Sequence, residues 1–96
     1  MSREGEPPHR RSEDFEYPEN LTLYVRAQAG DAYYPAPIRE AALALFRALE
    51  NVPSYDISLA KERAMAEKLK QLLTVYKMGN CDFAKILTKF TEESEF

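Results

Sequence analysis

The chain has 96 residues, 45% of them hydrophobic and 30% charged, with a formal net charge of −3. That length allows one domain with a thin core, and the acidic balance is not that of a strongly basic nucleic-acid binder. No apolar run approaches the ~20 residues of a membrane-spanning helix, no secretory signal opens the chain, and the lone Cys81 excludes an internal disulfide. An intracellular, reducing location is therefore expected, away from any membrane.

The charge is unevenly spread. Residues 1–19 hold three basic and six acidic groups, and so carry the whole net charge, whereas residues 20–96 hold ten of each. Residues 1–17 contain Pro7, Pro8 and Gly5 and no aliphatic side chain after Met1. Such a segment cannot offset the entropy of ordering itself, so it is expected to be a disordered acidic tail preceding a single helical domain over 18–96. Within the tail, "SEDFEY" sets Phe15 and Tyr17 among carboxylates. Those rings can reach out to a partner's groove, or fold back to seal the start of the domain.

The next stretch, "NLTLYVRAQAG", admits two readings. Leu21, Leu23, Val25 and Ala27 alternate with Thr22, Tyr24, Arg26 and Gln28, which favours a strand. As a helix, Leu21, Tyr24, Val25 and Gln28 form a poorer face, although Asn20 can cap it and Gly30 can end it. No second strand is evident downstream, so a strand here needs a partner chain and implies a homodimer. "GDAYYPAP" then reads as a loop, with Tyr33 and Tyr34 between a Gly–Asp turn and two prolines.

Three helices are expected beyond it. Pro37 suits a first helical turn, and Ile38, Ala42, Leu45, Leu49 and Val52 follow at spacings of 4, 3, 4 and 3. Ala41, Phe46 and Ala48 widen that stripe. Pro53 ends this helix, Tyr55 sits in the connection, and Asp56 or Ser58 is expected to cap the next one. That helix runs to about Lys77 with Met65, Leu69, Leu72 and Tyr76 inward, flanked by Ala66 and Leu73, and its bases mainly outward. Gly79 is expected as the left-handed residue that stops it. Asp82 or Asn80 then caps a last helix whose face is Phe83, Ile86, Leu87 and Phe90. The fold class is mainly α, a small three-helix bundle preceded by a strand or an extra helix.

An inventory of chemistry argues against an enzyme. The one histidine, His9, lies in the tail, so neither a rigid nucleophile–histidine pair nor a zinc site can be assembled, and the glycines never cluster into a phosphate loop. No cofactor or metal is expected. The best reading is a non-catalytic protein-interaction module of regulatory, adaptor or inhibitor type. Its candidate contacts are Phe15, Tyr17, Tyr24, Arg26, Tyr33, Tyr34, Tyr55, Lys68 and Lys70, since loop tyrosines combine apolar area with a polar tip. Covering the ends of a small bundle is the plainer role for the same tyrosines.

The alternative is a small dimeric transcriptional regulator. A strand followed by two helices, with Thr22, Tyr24, Arg26 and Gln28 on one strand face, resembles the layout of ribbon–helix–helix repressors. The resemblance implies paired strands entering the major groove, with Lys68 and Lys70 available to phosphates. It is one of topology alone. The long "GDAYYPAP" loop, the third helix and the negative charge depart from that layout. A helix–turn–helix across Met78–Gly79 leaves only Lys85, Thr88 and Lys89 to read bases.

Overall fold

Asn20 opens the first element, and that element is a helix. The computed structural model describes residues 17–92, in which α1 spans Leu21–Ala29, α2 Ala36–Glu50, α3 Ala60–Val75 and α4 Asp82–Glu92. Asn20 has extended backbone, and its side-chain Oδ1 accepts from the Leu23 N–H at 3.1 Å, while the Gly30 N–H closes the far end on the Arg26 and Ala27 carbonyls. The strand reading of 21–28 is thereby overturned. No strand occurs among the described residues to pair with it, and a helix satisfies its backbone groups internally. Helical period also separates the apolar residues differently: Val25 is wholly buried and Leu21 and Tyr24 are half-buried, but Leu23 is exposed.

In α2, Ile38, Ala42 and Leu45 are buried, as their spacing requires, and Pro37 sits in the first turn where its missing N–H costs nothing. The helix stops at Asn51, whose side-chain Nδ2 donates to the Arg47 carbonyl at 2.8 Å. Val52 falls just beyond it, half-buried.

The start of α3 differs from expectation. Asp56 Oδ1 accepts from the Ser58 N–H, the Ser58 hydroxyl and the Leu59 N–H, so it builds the turn before the helix. Leu59 itself occupies the cap in a left-handed conformation (φ 55°), with its side chain packed against the core. The buried stripe is rotated as well. Glu62, Ala66, Leu69 and Leu73 are buried, Met65 and Leu72 are half-buried, and Tyr76 lies 41% exposed instead of inside.

A Schellman motif ends α3: Met78 N–H reaches the Leu73 carbonyl at 2.7 Å, and Lys77 N–H the Thr74 carbonyl at 2.9 Å. The left-handed residue is Lys77 (φ 62°), not Gly79, whose φ is ordinary. Gly79 matters for closeness: a Cβ there would lie 3.0 Å from Thr74 Oγ1. In α4, Phe83, Ile86, Leu87 and Phe90 face inward as predicted, joined by Ala84.

Each helix packs on its neighbour in sequence, α1 on α2, α2 on α3 and α3 on α4. Phe83 joins α4 to the first helix and loop, meeting Tyr24 of α1 edge-on at 5.8 Å between ring centroids and Tyr34 at 5.7 Å. Four helices thus share one core, which is what makes individually marginal helices stable. None of the four is long and apolar enough to cross a membrane.

Candidate interaction surface

The residues singled out in the sequence are scattered. Phe15 and the tail preceding Tyr17 lie outside the described residues. Tyr17 is half-buried and engaged with its surroundings. Tyr24 packs on Phe83, and Arg26 is exposed with its guanidinium 5.8 Å from the centre of the Phe46 ring. Lys70 pairs with Glu67 at 3.2 Å, one turn along α3, and Lys68 is exposed.

The two adjacent tyrosines of the first loop have opposite fates. Asp31 Oδ1 accepts from the Tyr33 N–H at 2.9 Å, forming a turn that turns Tyr33 to solvent, and Arg39 Nε donates to the Tyr34 carbonyl at 2.8 Å. Tyr33 is 69% exposed and Tyr34 only 6%. Tyr34 is therefore a core residue with little surface to offer a partner, unlike the contact residue expected from the sequence. In the second connection, Tyr55 and Ile57 project to solvent on either side of the anchored Asp56.

Tyr34, Tyr24 and Cys81 form a small polar cluster at one end of the core. Burial, then the Asp82 carboxylate and the Cys81 thiol, pushes the Tyr24 phenol up to about 12. Tyr34 is raised further by burial first, then by Cys81 and Tyr24 beside it. Both phenols stay neutral at ordinary pH, and the cluster serves packing. Among the described residues no group of His, Cys, Asp and Glu is arranged to hold a metal ion.

The surface feature that stands out lies along the α2–α3 seam. Two hollows share Ala44 and Met65 and so form one continuous groove. One end, of about 450 Å³, is lined by Ala41, Lys68, Leu69, Gln71, Leu72 and Val75. The other, of about 620 Å³, is lined by Arg47, Ala48, Asn51, Pro53, Asp56, Lys61 and Glu62. Early α2 thus meets late α3 and late α2 meets early α3, so the pair is antiparallel. Small side chains at Ala41, Ala44 and Ala48 keep the groove open, since anything larger would fill it.

Glu62 sits in the polar end, 4% exposed, and its Oε1 has no hydrogen-bond partner among the described residues. A capping glutamate at this third helical position would reach back to the cap N–H, but the Leu59 N–H is already held by Asp56. Neither Glu62 nor Ala44 was singled out from the sequence. The spacing Ala41–Ala44–Ala48 was the available signal, and on an amphipathic helix it reads equally well as a widened core stripe. Comparison of the chain with protein families, with curated proteins and with solved structures found no match.

Proposed function

We propose that this protein is a non-catalytic interaction module whose α2–α3 seam is the contact face for another protein. The observation that carries the reading is the groove, a long surface channel floored by alanines and walled by Met65, Leu72 and Val75. Channels of this shape accept a helix or an extended segment, with apolar side chains supplying affinity and the rim supplying specificity. Val75 is 73% exposed, with no covering element among the described residues, which at the edge of a groove favours a partner. A regulatory, adaptor or inhibitor role suits a small binding domain of this kind, and a lone free cysteine is compatible with a reducing compartment.

Nucleic-acid binding is less well supported. The ribbon it would use is helix α1, Lys70 is engaged by Glu67, and α4 buries its whole apolar face. The test compares partner capture from a cell lysate by the wild-type chain, Val75→Glu and Tyr55→Ala. Loss with Val75→Glu at unchanged thermal stability supports the seam. Capture that survives Val75→Glu but fails with Tyr55→Ala transfers the contact to the loops.

A further inference from the structure

The charges lining the groove do not face the same way. Asp56 is half-buried and spends its Oδ1 on the turn before α3, and Glu62 is buried. Arg47, Lys61 and Lys68 stand exposed along the rim. Glu67, the acid beside Lys68, is paired with Lys70. Of the five charged residues lining the groove, the three cations are therefore exposed, whereas the two acids are half-buried or buried.

Building on the proposed contact face, we infer that the occupant of the seam is an acidic amphipathic helix from another protein. Its apolar residues lie over Ala44 and Leu72, and its carboxylates meet Arg47, Lys61 and Lys68. The alanine floor lets a helix approach closely, and Ala41 to Asn51 gives a channel about 15 Å long, or about three helical turns. Opposite charge on the rim steers such a segment in and fixes its register. A second copy of this chain fits worse, because a two-fold contact through the seam would bring the same cations face to face.

The test titrates the isotope-labelled full chain with two peptides of about fifteen residues, sharing one leucine face but flanked by glutamate in one and lysine in the other. The glutamate peptide is expected to shift the amides of Ala44, Arg47, Lys61 and Lys68. Its affinity should fall at least about tenfold with Lys61→Glu or Lys68→Glu, and should weaken with added salt. Equal or tighter seam binding by the lysine peptide overturns the acidic assignment while leaving the contact face standing. Shifts confined to the Tyr33 and Tyr55 loops, or no shifts with either peptide, overturn both. Seam amides that broaden with protein concentration alone would name a second copy as occupant. Seam shifts caused by Glu13→Lys with Asp14→Lys would name the chain's own N-terminal segment. Either result overturns the proposal.

Discussion

The guanidinium of Arg63 lies 4.9 Å from the centre of the Phe90 ring and donates through Nη1 to the carbonyl of the same residue. Its Nε donates to the Ser58 carbonyl at 2.9 Å, so one side chain ties the start of α3 to the end of α4. A charged hydrogen bond and a cation–π contact together outweigh a typical surface interaction. Arg63→Ala should therefore cost about 2 kcal/mol, and Arg63→Lys should recover less than half, because an ammonium cannot satisfy both carbonyls in a planar fork. Thermal unfolding measures this; a lysine variant as stable as the parent would show the planar fork to be unimportant.

Lys77 holds the left-handed position of a Schellman motif without the freedom of glycine. Lys77→Gly should raise stability by about 0.5–1 kcal/mol, the relief of strain being partly offset by a more flexible unfolded chain. Gly79→Ala should act oppositely, since its Cβ would crowd Thr74 Oγ1, which donates to the Lys70 carbonyl at 3.1 Å. Adding Thr74→Ala should remove most of that cost, a coupling that a double-mutant cycle in urea would reveal or deny.

Glu62 buries a carboxylate oxygen without a partner among the described residues. Replacing it by methionine keeps the volume and removes the desolvation cost, so Glu62→Met is expected to stabilise the fold by about 1–3 kcal/mol. The urea midpoint should rise with unchanged slope. A fall in midpoint would mean that the carboxylate is satisfied in solution.

Adjacent tyrosines should respond differently to the same change. Tyr34→Ala removes a ring packed on Phe83 and should cost about 3–5 kcal/mol, enough to unfold much of the population. Tyr33→Ala, at an exposed ring, should stay within about 0.5 kcal/mol of the parent. Circular dichroism melts of the two variants decide between this inside–outside arrangement and its reverse.

Alkaline pH should loosen the end of the core that holds Tyr24 and Tyr34. The Tyr24 phenol titrates near 10.0 when free and at about 12 in the fold, so its contribution is complete below pH 10 and is lost as pH rises towards 12. Tyr34 acts in the same direction. Melting temperature should decline over this window, and Tyr34→Phe should make the decline shallower. An identical slope in that variant would assign the loss to other groups.

Periodicity determined that α2, α3 and α4 are helices, and for α2 and α4 also the inner face, because each is long enough for a 3.6-residue repeat to show. Ile38–Ala42–Leu45 and Phe83–Ile86–Leu87–Phe90 read from the sequence as they lie in the core. Helix α1 was not determined in this way. Its nine residues alternate cleanly enough for a strand, and the lack of a partner strand among the described residues, the Asn20 cap and the burial of Val25 in the shared core go with the helix instead. Tertiary packing likewise decided that Tyr34 turns in and Tyr33 out, since a loop carries no period to distinguish neighbours. It also rotated the α3 stripe to bury Glu62 and leave Tyr76 outside, because the position of α2 and α4 sets which flank of an amphipathic helix is covered. The groove arises at that same level. An alanine at 44 is apolar whether it meets a neighbouring helix or lines a channel, and the separation of α2 from α3 decides which.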